Sequence, residues 1–341
     1  MIIEAATLFK TRNIKVIKLH TPDLSVGQIL VKIKYTSICH TQLQEINGLR
    51  GKDKYLPHCL GHEATGIVEK IGKRVSKVKP KDKVLLSWIK SEGIEAQGVK
   101  YRFKNKIVNG GPVNSFSNYS IVSENRIIKL PKKSNLKKDL LMGCAIPTAF
   151  NAIFNTLKYA KKDNILILGA GGLGIAAVFA AKKSNFKKIY VLDKISSKLN
   201  LSKQFGATNT ILIKNDKDLN LFLKKYKNFF SNVLECSGNS SLLEKSTNIV
   251  SNFGGKIIII GNYPNKEKIT INPWYFVSGK TISGSWQHPI TYNGLFNDFY
   301  KKFKDFNYKK YFGKKVYSLK NINKAVDDLS SGKVLRPLIK V

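Results

Sequence analysis

The chain has 341 residues, with 59 Lys and Arg against 22 Asp and Glu, for a formal net charge of +37 at pH 7. A 43% hydrophobic and 24% charged composition excludes a disordered or fibrous chain, and the length allows two domains, each with its own core. No apolar run is long enough to cross a bilayer and no signal peptide opens the sequence, so no membrane partner and a cytoplasmic location are expected.

Met1 to Ala6 reads as a first strand. Gln28 to Tyr35 alternates apolar and polar residues, the period of a half-buried strand, and Ala64–Glu69 and Lys83–Leu86 are further short β-type runs. Residues 1–130 therefore predict a β-rich, partly open barrel. The rhythm changes near residue 147. Asn164–Leu168 is a continuous apolar strand, followed by a small-residue helix from Gly172 to Ala181 and a second strand from Lys188 to Leu192. Later strands are expected at Asn232–Cys236, Lys256–Ile260 and Thr281–Ser283. Unbroken apolar strands alternating with helices indicate a parallel sheet covered on both faces, hence an α/β class with a doubly wound domain. The boundaries expected are 147–286 for that domain, and 1–146 with 287–341 for the β-rich one.

The turn Gly169-Ala170-Gly171-Gly172-Leu173-Gly174 lies between strand and helix, and Asp193 closes the next strand at about the 20-residue distance of a dinucleotide fold. Gly169 permits the tight turn, Gly171 close approach of a pyrophosphate, and Gly174 helix-on-strand packing, while the helix N-terminus offers N–H groups to phosphate. A carboxylate at Asp193 accepts hydrogen bonds from ribose hydroxyls and repels a 2′-phosphate, which favours NAD(H).

The four cysteines, Cys39, Cys59, Cys144 and Cys236, are too widely spaced for a disulfide framework. Cys39 and Cys144 together with His62 provide two soft sulfurs and an imidazole, a three-ligand set that suits a catalytic zinc with one open position. Cys59 and Cys236 read as buried apolar residues. The positive charge is spread along the whole chain without a basic tail or aromatic-interleaved motif, so a solvated lysine-rich surface is expected and nucleic acid is not an expected partner.

Three islands, Ile38-Cys39-His40-Thr41, Leu60 to Val68 (with His62-Glu63) and Gly143 to Thr148 (with Cys144), precede the glycine turn in this order. With it they resemble the zinc-dependent medium-chain alcohol dehydrogenases almost end to end. That resemblance implies a GroES-like catalytic domain beside a Rossmann cofactor domain, and a hydride exchange between NAD(H) and an alcohol or carbonyl. It makes Cys39, His62 and Cys144 the zinc ligands and Glu63 a nearby carboxylate. Thr41 matches the hydroxyl that relays the substrate proton. His40 and Arg336 match cations near the pyrophosphate, Lys198 a lysine near the adenosine ribose, and Trp88 a bulky wall of the substrate pocket. A homodimer or homotetramer is implied.

Three departures are visible. Gln42 replaces the usual aspartate that orients the ligand histidine, and Gln44 replaces the histidine that ends the proton relay. Ser87 to Asn118 contains no cysteine, so a second, structural zinc cannot be held there and one zinc per subunit is expected. Arg50, Lys52 and Lys54 border the loop beside the family's pocket. They fit an anionic sugar or polyol better than a glutathione adduct. Trp286 or His288 would also shape the pocket. The competing readings are a zinc-free reductase on the same fold and a cationic nucleic-acid binder that has lost dehydrogenase activity.

Overall fold

The computed structural model describes residues 1–158, 160, 162–286, 297–298 and 300–341. His288 therefore lies outside the described residues. The chain divides into two compact units: Met1–Cys144 with His288–Tyr300 and Tyr308–Val341, and Ala145–Gln287 with Lys301–Asn307.

In the first unit, the long strand Gln28–Ser37 organises two cores through its period of two. Ile29, Val31 and Ile33 face one cluster with Ala64, Val68, Val84 and Leu86. Leu30 faces the other, with Ile3, Ala5, Leu19, Tyr101 and Ile121. The second face is covered at Leu30 but exposed at Lys32, which is why the alternation in sequence is incomplete. The strand is central in a seven-stranded sheet that runs Ile127–Lys129, Lys83–Ser87, Glu63–Ile71, Gln28–Ser37, Leu338–Lys340 and Val316–Ser318, with Tyr119–Ser123 also pairing to it.

The strands Ile2–Lys10, Asn13–His20, Lys100–Phe103, Lys106–Asn109 and His58–Cys59 form a closed barrel. The sequence had suggested a partly open one. Closure comes from the hairpin at Lys100–Asn109, whose strands have four residues each and carry a weak signal: Tyr101 is fully buried between the exposed Lys100 and Arg102, and Val108 is fully buried beside the exposed Ile107. Closing the sheet removes unpaired edges.

Sheet register assembles one end of this unit. Thr36 pairs with Ala64, so Ser37 and Glu63 become neighbours. Leu338 pairs antiparallel with Ser37, which delivers Arg336 to the same place. Glu63 pairs with Ser87, which brings Trp88 close behind. The short 3-10 turn Leu140–Gly143 ends on Cys144 and is tied down by Ser87 Oγ donating to the Gly143 carbonyl at 2.7 Å.

The second unit is a six-stranded parallel sheet in the order Asn209–Leu212, Lys188–Asp193, Asn164–Leu168, Asn232–Glu235, Lys256–Ile259 and Thr281–Gly284. In order along the chain this is 3-2-1-4-5-6, the doubly wound arrangement whose strand order reverses beside Asn164–Leu168. Ile165, Leu166, Ile167 and Leu168 are all fully buried, as an unbroken apolar run on a two-sided sheet requires. Strand ends differ by a residue from the sequence reading, at Glu235, Ile259 and Gly284.

Candidate metal centre and dinucleotide turn

Cys39 ends the strand-to-helix bend as N-cap of the short helix His40–Ile46, while His62 enters the strand Glu63–Ile71. Sheet pairing puts these two bends side by side, and Cys144 arrives from the 3-10 turn. One donor atom from each of Cys39, His62 and Cys144 lies within 4.8 Å of the others. Among the described residues this is the grouping that could hold a metal ion. His62 Nε2 is buried and has no hydrogen-bond partner. A buried imidazole nitrogen without a hydrogen-bond partner is costly in either tautomer. Two sulfurs and that nitrogen suit zinc.

The sulfurs are electrostatically prepared. The Cys144 thiol donates to Cys39, which holds Cys39 well below the usual thiol range against the opposing effect of burial; Arg336 and His62 pull the same way. Acting as donor, Cys144 is itself pushed well up, and burial adds to the rise. One proton shared between two sulfurs is what a cation displaces.

Glu63 lies immediately behind. Its Oε1 accepts from Ser37 Oγ and from Arg336 Nη2, and Oε2 is buried without a hydrogen-bond partner. Arg336 also donates from Nε to Ser37 Oγ at 3.1 Å. Burial disfavours the guanidinium charge, but Glu63, Cys39 and Cys144 together hold Arg336 well above its ordinary range. Arg336, which the family resemblance assigns to the pyrophosphate, is thus engaged by Glu63.

The remaining residues singled out from sequence fall as follows. Thr41 is half-buried, with Oγ1 3.7 Å from Cys39 Sγ. His40 is exposed on the first turn of the same helix. Gln42 Oε1 accepts from the Cys39 N–H at 2.9 Å, and its Nε2 meets His62 Nδ1. Gln44 is half-buried farther along the helix. Trp88 is half-buried, and its carbonyl accepts from Arg126. Arg50, Lys52 and Lys54 are exposed. None of them lines the cavity of about 510 Å³ on this unit, which is formed by His20, Thr21, Pro22, Lys100, Arg102 and Lys104. Trp286 is 72% exposed. Cys59 is buried, whereas Cys236 is only partly so.

In the second unit each glycine of the turn has its own reason. Gly169 has φ +94°, a region that side chains rarely adopt. A Cβ on Gly174 would lie 1.8 Å from the Gly169 carbonyl oxygen, so only glycine fits. A Cβ on Gly171 would meet nothing within 4 Å, because its backbone faces open space. The 12-residue helix Gly172–Lys183 starts there, with Gly171 as an N-cap residue that has no side chain to cap it, and its N-terminal dipole end favours an anion. Gly172 is buried and Leu173 half-buried in its first turn. Asp193 ends the neighbouring strand, where Oδ2 accepts from Ala170 N–H at 2.7 Å and Oδ1 from Ile195 N–H at 2.9 Å. The sequence reading did not foresee that Asp193 also braces the glycine turn. Lys198 is half-buried on the helix Ser196–Phe205.

Two family models match the chain: the alcohol dehydrogenase GroES-like domain over residues 25–132 and the zinc-binding dehydrogenase model over 172–301. An S-(hydroxymethyl)glutathione dehydrogenase of Photobacterium damsela subsp. piscicida is 28% identical over 300 residues, 80% of this chain and 81% of that protein. The crystal structure of benzyl alcohol dehydrogenase from Acinetobacter calcoaceticus is 26% identical with a TM-score of 0.83, covering 100% of this chain and 99% of the other. A zinc-binding dehydrogenase structure from Sinorhizobium meliloti 1021, bound to NADP, shares the fold at TM-score 0.80 and 19% identity, covering 100% of both chains.

Proposed function

This chain belongs to the zinc-dependent medium-chain alcohol dehydrogenase family, and we propose that it is an NAD(H)-dependent oxidoreductase of alcohols and carbonyls with one zinc held by Cys39, His62 and Cys144. The observation that carries the reading is the convergence of those three donors around a bare, buried imidazole nitrogen. Three protein ligands are the count of a catalytic zinc rather than a closed structural one.

When bound, zinc supplies Lewis acidity toward a substrate oxygen and the nicotinamide supplies or accepts the hydride. The protein's own groups do the rest. The Thr41 hydroxyl, beside Cys39, takes the substrate proton outward. Arg336 is held in place by Glu63 and Ser37 and offsets the negative charge of the sulfurs. Gly171, Gly172, Leu173 and the helix they open receive the pyrophosphate. Asp193 receives the adenosine ribose, with Lys198 nearby, and its negative charge favours NAD(H) over NADP(H).

The substrate class proposed is an anionic sugar or polyol, on the exposed cations Arg50, Lys52 and Lys54, with Trp88 as an apolar wall. S-(hydroxymethyl)glutathione, named for the relatives, is itself an anion and is the alternative that the screen must separate from it. The unit Ala145–Gln287 with Lys301–Asn307 serves as the cofactor domain and the other unit as the catalytic domain, in place of the boundaries 147–286 and 1–146 with 287–341 read from sequence. A dimer or tetramer is supported by the exposed Phe253, Trp274 and Val277, and by the edge strand Thr281–Gly284. Among the described residues no helix is long and apolar enough to cross a membrane.

The test is a turnover screen by NADH fluorescence over alcohols, aldehydes, polyols, sugar phosphates and S-(hydroxymethyl)glutathione, with zinc quantified in the same preparation. The expected result is zinc-dependent turnover of an anionic polyol or sugar. Turnover that survives full removal of zinc would contradict the metal's role.

A further inference from the structure

Gln42 serves two neighbours at once. As the third helical residue after Cys39 it accepts the Cys39 N–H with Oε1, the reciprocal half of a capping box, and its amide nitrogen faces His62 Nδ1. An amide has one acceptor end and one donor end. With the acceptor spent on Cys39, the donor end faces His62, so Nδ1 must accept and the proton of the neutral imidazole sits on Nε2. Nε2 is the atom turned toward Cys39 and Cys144, and it has no partner.

A metal needs the opposite arrangement. Ligation through Nε2 requires its lone pair, which puts the ring proton on Nδ1 and calls for an acceptor there. Turning the amide over supplies that acceptor but points an NH2 group at the Cys39 N–H. Neither orientation of Gln42 satisfies both neighbours once the imidazole is a ligand. A carboxylate of the same length would satisfy both, because each of its oxygens accepts.

We propose that Gln42 is a positioning residue that opposes zinc loading: it holds the metal-free His62 as the Nε2–H tautomer, and zinc binding must move that proton to Nδ1 and break the cap on Cys39. Proton balance is closed through solvent, one proton leaving Nε2 and one arriving at Nδ1. The consequence is a catalytic metal held less tightly than its donor set would allow. This inference rests on the zinc reading given above, and the experiment separates the two.

The experiment compares the full-length wild type with Gln42→Glu, an isosteric change, under reducing conditions. Two-bond ¹H–¹⁵N spectra are recorded without zinc at about pH 8, where an ordinary imidazole is neutral. The protein has five histidines, and His62→Ala assigns the signal. The expected result is an Nε2–H tautomer in the wild type and an Nδ1–H tautomer in Gln42→Glu. Zinc affinity, measured by competition with a chromophoric chelator, is expected to rise about 10- to 100-fold in the variant. An Nδ1–H tautomer in the zinc-free wild type, or equal or weaker zinc binding by Gln42→Glu, overturns the inference and leaves the zinc site standing. A wild type whose zinc binding is unchanged by His62→Ala overturns both.

Discussion

Arg336 and Glu63, 273 residues apart in sequence, form an ion pair whose side chains are only 4% and 1% exposed. Water cannot screen this pair, and Ser37 binds both members. Removing one partner strands a buried charge. Arg336→Leu is therefore expected to destabilise the protein by about 3–5 kcal/mol. Urea unfolding of the zinc-free protein checks this, and a loss below about 1 kcal/mol would mean the pair is not buried as described.

Thiol chemistry should divide the four cysteines. Burial pushes the Cys59 thiol up to about 12, with Thr7 and Asn114 only partly offsetting it. Its thiolate fraction at neutral pH is then on the order of one in 10⁵. Burial and the charge of Glu235 also raise Cys236 well above its ordinary value. Cys39 is held low. Iodoacetamide at pH 7 should modify Cys39 first in the zinc-free protein, while zinc should protect it. Mass spectrometry of the labelled peptides reads the order, and rapid labelling of Cys59 would contradict it.

The role in cofactor choice proposed for Asp193 has a direct kinetic test. Its carboxylate braces Ala170 and stands at the end of the strand Lys188–Asp193. Asp193→Gly removes the charge that would repel a 2′-phosphate. The ratio of kcat/KM for NADP to that for NAD should rise about tenfold or more, equivalent to roughly 1.4 kcal/mol. Absolute rates with either cofactor should fall, since the brace on the glycine turn is also lost. An unchanged ratio would remove Asp193 from the ribose site.

Asp328 predicts part of the acid response. Hydrogen bonds from Lys315 and Tyr317 hold its carboxyl down at about 2. An unfolded aspartate titrates near about 3.9. Because the folded value is the lower one, the stabilisation is fully present above about pH 4 and is lost as the pH falls toward about 2. Asp328→Asn should lower Tm at neutral pH, with the gap to wild type closing below about pH 3. A gap independent of pH would show that the carboxylate charge is not what stabilises this corner.

What the sequence made legible follows from how local each signal was. The apolar run Asn164–Leu168 and the glycine turn are contiguous, and their chemistry is set by residues within a few positions, so both read directly. The three metal-ligand candidates were legible as residue types in recognisable local settings, and the structure places them together. The closing hairpin of the barrel was missed because strands of only four residues are too short to show a period. The engagement of Arg336 by Glu63 was also invisible. It arises from the pairing of Leu338 with Ser37, a contact between opposite ends of the chain that no local pattern encodes. The double duty of Gln42 was half visible: its departure from aspartate could be seen, but its bond to Cys39 depends on the capping geometry of the helix His40–Ile46.

The account stands on the coordination of one metal ion, and zinc-edge X-ray absorption of the loaded protein tests that most directly. The expected spectrum has two sulfurs at about 2.3 Å and one imidazole nitrogen at about 2.0–2.1 Å, with one further light atom, at one zinc per chain. Loss of one sulfur shell in Cys144→Ser would fix the assignment. A spectrum with no sulfur, or with four sulfurs, would contradict it.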